Sequence, residues 1–387
     1  MKKRLLLLIL SLITVFSLSA CAYTFKTTGI NGDYHKGNGL KLGYEYVYGY
    51  YNPLVYEDET YEDVLDLVYL KLFPKDRNNN YIYDIKDESG KEIDGYIYTS
   101  PASLRVTETE NNTFKYVITL KDGIASNTGA VYDSKDLLFT YYVMFDPSNE
   151  NIAYMSLPVK GLSEYYNDLN SKTKYSEAHI EGIRTLSDRM LEIETTRELN
   201  ETEKRLLNVY IVSHSFVDDD IPVSPQTFEF GFTKGDITYL RTCSFIEKAT
   251  GPYYIKRIRP NTIILNRNRN CFNHISKIDE LKIERLGTYV MDDDNECIIG
   301  GGDAFYQINQ KWIDIAEVVV TDEIKTEISR YNMSSTTVGN CITLYEIEGT
   351  NKGIVYSTQR IDGSTVEKAG FNKYYSIEDL ITYINFK

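Results

Sequence analysis

The chain has 387 residues, a length that accommodates more than one domain and a large hydrophobic core. Its 42 lysines and arginines are outnumbered by 56 aspartates and glutamates, which gives a formal net charge of −14 at pH 7. Because this charge repels the phosphate backbone, nucleic acid is excluded as a partner.

The N-terminus has the layout of a secretory signal. The first four residues carry three positive charges, and residues 5–18 are apolar apart from two serines and a threonine. This stretch is shorter than the about 20 apolar residues of a membrane span. It ends in Leu18-Ser19-Ala20-Cys21, which resembles the bacterial lipobox, whose cysteine is acylated and becomes the first mature residue. The sequence therefore predicts a signal peptide over residues 1–20, a lipid anchor on Cys21, and a location on the extracytoplasmic face of the cell membrane.

The predicted elements begin after a glycine-rich stretch, residues 21–40, that is typical of a flexible tether. Residues 41–48 alternate as a strand does, and Asn52-Pro53 predicts a turn after it. The stretch Thr60–Asp63 has the pattern of a capping box and predicts a helix. The apolar stripe of that helix is Val64, Leu65, Val68, Tyr69 and Leu72.

Further along the chain, strands and helices alternate. Phe114–Leu120 and Met190–Thr195 are predicted strands, and Ser134 is the predicted N-cap of a helix between them. Tyr253–Ile258 and Thr262–Arg267 predict a hairpin, and Leu281–Leu286 a further strand. Helices are predicted over residues 303–311 and 321–331, with a last short one capped by Ser376. This mixture indicates an α/β protein of two or more domains.

The side chains that could bind a metal or take part in catalysis do not form a recognisable pattern. Besides Cys21 there are four widely spaced cysteines, Cys243, Cys271, Cys297 and Cys341, and the chain has four histidines. They do not match a structural zinc site, and we interpret these cysteines as mostly buried apolar residues, with their disulfide state left open. No Ser/His/Asp order or glycosidase carboxylate pair is recognisable. The sequence predicts no cofactor and no enzymatic activity.

Six stretches, in order along the chain, resemble the solute-binding lipoproteins of family 5, which are the extracytoplasmic receptors of peptide and nickel ABC importers. Each stretch alone is a weak signal, but their shared order after a lipobox is specific. The resemblance as a whole covers roughly residues 41–335. They are Tyr116–Phe139, Ile180–Ile183 with Leu191–Ile193, Phe230–Asp236, Ala249–Tyr253, Arg267–Phe272 and Asp303–Ala316.

The resemblance implies a two-lobed periplasmic-binding-protein-like (type II) α/β fold with an extra small domain in the first lobe. It places the first lobe at residues 41–270, with the small domain at about 55–175, and a partial second lobe at residues 271–387. Family members are markedly longer, and residues 336–387 show no resemblance. We therefore expect the second lobe to be incomplete.

The function implied by the resemblance is capture of oligopeptides for a membrane ABC permease. In the family the ligand lies between the lobes and pairs partly, through main chain, with the first strand; the matching stretch here predicts Tyr48, Tyr50, Tyr51 and Asn52 as ligand contacts. Packing inside the lobe is the alternative for these tyrosines. A second hypothesis for the whole chain is a family-derived surface lipoprotein that has lost ligand binding.

The resemblance also places Thr250-Gly251-Pro252-Tyr253 at the start of a strand in the first lobe, facing the cleft between the lobes. A glycine at such a sharp turn is expected to adopt a positive φ. The prediction for Gly251 is therefore a backbone conformation that other residues avoid.

Overall fold

The structure is a computed structural model. It describes residues 39–44, 51–54, 59–76, 80–84, 91–93, 96–149, 152–167, 179–214, 234–238, 240, 248–259, 262–272, 278–285, 288–291, 297–300, 304, 308, 313–334, 342–346 and 352–358. The predicted signal peptide, Cys21, the tether, Tyr48, Tyr50 and the helix capped by Ser376 lie outside these residues. In the part of the chain that is described, no helix is long and apolar enough to cross a membrane.

Fifteen strands and five α-helices are described. The strands are β1 Gly39–Tyr44, β2 Lys91–Ile93, β3 Tyr96–Tyr98, β4 Ala102–Glu108, β5 Phe114–Leu120, β6 Ile183–Ser187, β7 Met190–Thr195, β8 Tyr253–Arg259, β9 Thr262–Arg267, β10 Glu280–Arg285, β11 Thr288–Met291, β12 Cys297–Gly300, β13 Ile315–Val319, β14 Ile342–Glu346 and β15 Lys352–Ser357. The helices are α1 Glu59–Val68, α2 Ser134–Met144, α3 Ile152–Met155, α4 Leu162–Asn167 and α5 Asp322–Ser334. Short 3₁₀ turns lie at Pro147–Asn149 and Glu203–Leu207.

The larger sheet has seven strands in the order β14-β15-β13-β1-β10-β9-β8. β1 lies in its interior and runs parallel to both neighbours, β10 and β13, while the outer pairs are antiparallel. Leu40 and Leu42 of β1 are buried and point to one face, as expected for a strand of period two. The parallel centre of this sheet positions the candidate site described below.

The smaller sheet has four strands in the order β4-β5-β7-β6, all antiparallel. Its apolar face, which includes Ile118 of β5 and Leu191 of β7, is buried under α2 and joins the same hydrophobic core as β1. β6 ends at Ser187 and β7 at Thr195, so both strands follow residue 175 in the chain, and the bounds of the small domain stay a prediction.

Helix α2 begins one residue differently from the prediction. Its N-cap is Asp133, which accepts a hydrogen bond from Lys135 N, and Asp136 completes a capping box. Ser134 is the first helical residue, and its hydroxyl donates to Ser187 O instead. The prediction of Ser134 as N-cap is therefore wrong. The predicted apolar face is confirmed, because Leu138, Tyr141, Tyr142 and Phe145 are all fully buried.

Helix α1 begins at Glu59, so Thr60 lies in its first turn and is not the N-cap that the sequence predicted. All five residues of the apolar stripe predicted for it are buried, but the helix ends at Val68, so Tyr69 and Leu72 lie beyond it. Ala304 and Ile308, inside the helix predicted over residues 303–311, are helical and buried.

Cys271 is a buried free thiol whose pKa is raised by burial, in agreement with an apolar role.

Strands from both sides of residue 271 share the seven-stranded sheet: β1, β8 and β9 precede it, and β10, β13, β14 and β15 follow it. Helix α5 packs on β14 and contributes Ile328 to a second, smaller cluster with Ala316, Val318 and Val355. Strand pairing thus continues across the lobe boundary predicted at residues 270–271. The division of the chain into lobes stays a prediction.

Candidate functional site

The candidate ligand site is the edge of the larger sheet at which three parallel strands end. β1, β10 and β13 end at Tyr44, Arg285 and Val319, and their pairing brings these carboxyl ends to the same side of the sheet. In open α/β sheets, ligands bind outside the carboxyl ends of the strands. The segment that follows β1 is therefore the main candidate for ligand contact.

Asn52 is anchored in the core a few residues after β1 in the chain. Its Nδ2 donates to Leu240 O at 2.6 Å, and its Oδ1 accepts from Leu54 N at 3.0 Å. Both Asn52 and Tyr51 are almost completely buried, at 1% and 2% exposure. Of the four predicted contact residues, these two belong to the core, and Tyr48 and Tyr50 lie outside the described residues. Contact of all four with a ligand stays a prediction.

Asp314 fixes the relative position of the two parallel strands β1 and β13. Its Oδ2 accepts from Lys41 N at 2.9 Å, and its main-chain N donates to Lys41 O at 2.8 Å. Its carbonyl also accepts from Ser357 N of β15. Asp314 is 1% exposed, so this carboxylate is satisfied by the main chain inside the sheet. The aspartate of the stretch similar to the family motif thus has a structural role that the sequence did not reveal.

The stretch Thr250–Tyr253 forms a buried joint. Thr250 Oγ1 accepts from Leu70 N at 3.0 Å and donates to Ile211 O at 3.2 Å, while Gly251 N donates to Val68 O at 2.7 Å. The joint therefore ties the end of α1 to the segment before residue 214 and to the start of β8. A strand start at Tyr253 is confirmed, but Thr250 and Tyr253 are fully buried and do not face an open cleft.

Asparagines hold this joint from the opposite side. Asn268 Nδ2 donates to Gly251 O at 2.8 Å, and Asn270 Nδ2 donates to Ser126 O at 3.2 Å. Asn127 Oδ1 accepts from Ala249 N at 2.9 Å. These bonds connect the turn after β9 with the turn before α2. The asparagines in the stretch Arg267–Phe272 therefore have a structural role as hydrogen-bond donors within the protein.

One group of side chains has the composition of a metal site: ligand atoms of Asp133, Asp136 and His214 lie within 4.8 Å of one another. Asp136 Oδ1 lies 2.9 Å from His214 N and 2.7 Å from His214 Nδ1, and its Oδ2 accepts from Asp133 N at 2.7 Å. Burial and then the neighbouring Asp136 carboxylate raise the pKa of Asp133. These bonds already occupy the Asp136 carboxylate, so we interpret the group as the cap of α2 and its link to residue 214.

We expect Asp136→Ala to lower the free energy of unfolding by about 2 kcal/mol, because it leaves two half-buried main-chain N–H groups, those of Asp133 and His214, without this acceptor. Asp133→Ala is the matched control and should cost about 1 kcal/mol, the usual value of a lost N-cap. Urea unfolding followed by circular dichroism measures both. Equal losses in the two variants would show that the Asp136 carboxylate does not bridge α2 and His214.

No protein-family model and no curated protein matches the chain. Solved structures do match it. Lactococcal OppA complexed with an endogenous peptide is 16% identical, with a TM-score of 0.51, and the match covers 80% of this chain and 50% of that chain. The pheromone receptor PrgZ, described for its mode of peptide binding, is 14% identical with a TM-score of 0.53, over 81% of this chain and 53% of its own.

The substrate-binding domain of an oligopeptide ABC transporter from Bacillus anthracis is 13% identical, with a TM-score of 0.53, over 82% of this chain and 50% of its own. At such identities the likeness shows the fold. It confirms the predicted α/β fold of the two-lobed solute-binding proteins of family 5. The chain spans about half the length of these solved structures.

Proposed function

We propose that this chain is part of an extracytoplasmic, lipid-anchored solute-binding protein that captures oligopeptides and delivers them to an ABC permease. The observation that carries the proposal is the parallel centre of the larger sheet. The chain leaves its interior strand β1 at the carboxyl edge and is anchored again at Asn52. The shared fold with peptide-binding proteins supports an oligopeptide as the ligand.

Residues 45–50 join these two anchored points and would supply the contacts. Their main-chain groups would pair with an extended peptide, and Tyr48 and Tyr50 would line pockets for its side chains. Main-chain pairing gives affinity without selecting a particular sequence. The role is binding, with no covalent chemistry, and the net charge of −14 favours peptides that are neutral or basic.

We expect a mixture of short peptides to raise the melting temperature of the purified chain in a saturable manner. At a hundred times the dissociation constant, the linkage gain is about 2.7 kcal/mol, which is readily measured by differential scanning fluorimetry. The same peptides with methylated backbone nitrogens are the matched control, because methylation removes the donors that strand pairing needs. An equal shift with both sets would refute main-chain pairing.

The second candidate is a family-derived surface lipoprotein without ligand binding. The observation in its favour is the burial of Tyr51 and Asn52, whose side chains are committed to the core. Under this alternative, neither peptides nor nickel chelates, haem or sugars change the melting temperature. The same titration therefore decides between the two candidates.

A further inference from the structure

The β8–β9 hairpin ends in a cluster of cations on an acidic protein. β8 is an edge strand of the larger sheet, and its last four residues, Lys256, Arg257, Ile258 and Arg259, are all exposed. We call these four residues the basic tip. Residues 260–261, which connect the strands, are uncharged in the sequence. The tip therefore presents three cations and one aliphatic side chain at an end of the sheet.

A bulge determines which way these side chains point. The pairing of β8 with β9 shifts between Ile255 and Arg257, and beyond it Ile258 pairs with Ile263. Paired residues project to the same face, and Ile263 is fully buried, so Ile258 lies on the core side of the sheet. Arg257 and Arg259 project to the opposite face. The basic tip thus carries an apolar group, 39% exposed, on one face and two guanidinium groups on the other.

The carboxylates near the basic tip are already neutralised. Glu280 pairs with Lys256 at 3.7 Å, Asp279 pairs with Arg267 at 2.7 Å, and Glu284 pairs with Lys282. Arg257 and Arg259 form no ion pair with any described residue. The hairpin end therefore has a net positive charge that its own surroundings do not balance.

We propose that the basic tip binds an anionic lipid surface, with Arg257 and Arg259 on phosphate groups and Ile258 at the boundary of the acyl chains. Cations and a bulge also protect an edge strand from aggregation, and this explains Lys256. It does not explain an exposed isoleucine between two unpaired arginines. The unpaired guanidinium groups complement the phosphates of an anionic lipid surface, and a tip that meets this surface end-on brings the groups on both of its faces to it.

The test is co-sedimentation of the chain from Ala22 to Lys387 with vesicles of phosphatidylglycerol and phosphatidylcholine. This chain keeps every described residue and lacks Cys21, so a lipid anchor cannot contribute. Each cation near an anionic surface changes the partition coefficient about fivefold. We expect Arg257→Gln/Arg259→Gln to lower it about 25-fold, Ile258→Ser to lower it less, and high salt to abolish binding.

Arg105→Gln is the matched control, since Arg105 is an exposed arginine on the smaller sheet without an ion pair among the described residues. It should leave the partition coefficient unchanged. Equal loss in Arg105→Gln and the double variant, or no binding to anionic vesicles at low salt, would overturn the proposal. Binding of soluble polyglutamate in place of vesicles would identify an acidic protein partner and would also overturn it. None of these outcomes depends on peptide binding.

Discussion

Replacement of Gly251 by valine is expected to lower the free energy of unfolding by about 3 kcal/mol or more, enough to unfold a marginally stable domain. A Cβ at this position would lie 2.6 Å from the carbonyl carbon of Val68 and 2.8 Å from Tyr69 N. Both atoms are main chain, so no side chain can rotate away. The substitution also forces apart the 2.7 Å hydrogen bond from Gly251 N to Val68 O. Thermal and urea unfolding followed by circular dichroism measure the loss.

Gly39→Ala is the matched control for Gly251→Val. A Cβ at Gly39 of β1 would meet its nearest atom, Glu280 O, at an ordinary 3.5 Å. Its cost should stay below about 1 kcal/mol, as for substitutions without a clash or a lost bond. If Gly251→Val and Gly39→Ala have the same melting temperature, the close contact between α1 and the start of β8 is not a determinant of stability.

The need for glycine at position 251 was predicted from the sequence, but the physical reason for it was not. A positive φ was expected, but the described glycines with positive φ are Gly123, Gly129, Gly161 and Gly235. The requirement at Gly251 is the close approach of two backbones. A motif indicates that a glycine is needed, whereas the reason depends on a neighbour almost two hundred residues away.

Local patterns were sufficient where one face of an element is buried. Phe114–Leu120 and Met190–Thr195 were predicted with their observed bounds, because alternate residues face the core. The hairpin of β8 and β9 was also predicted, one residue short. β4 escaped prediction: its residues after Ala102 are half or fully exposed, so hydrophobic alternation is weak there.

Features that depend on a partner far away in the chain could not be predicted from local sequence patterns. Asp133 and Ser134 are both good caps, and the partner of Ser134, Ser187 O, lies 53 residues away. The pairing of Asp314 with Lys41 spans 273 residues. Similarly, β14 and β15 lie in the region without family resemblance, and the structure adds them to the sheet beside β13.

The largest expected effect on location comes from Cys21→Ala. The thiol of Cys21 is the only atom of the predicted lipobox that can carry a thioether-linked lipid, and each buried methylene of an acyl chain contributes about 0.8 kcal/mol to membrane attachment. We expect the variant to appear in the medium or as an unprocessed precursor, while the parent chain sediments with membranes. Cell fractionation and labelling with radioactive palmitate measure both.

Cys271→Ala is the matched control for Cys21→Ala, because it also removes one thiol from a chain that has five. Cys271 is buried among apolar residues, and burial raises its pKa, so its sulfur is protonated and inaccessible to an acyltransferase. The control should keep its membrane location and its full label. Equal palmitate incorporation in Cys21→Ala and the parent chain would contradict the anchor. In that case the palmitate would be attached at a site other than Cys21.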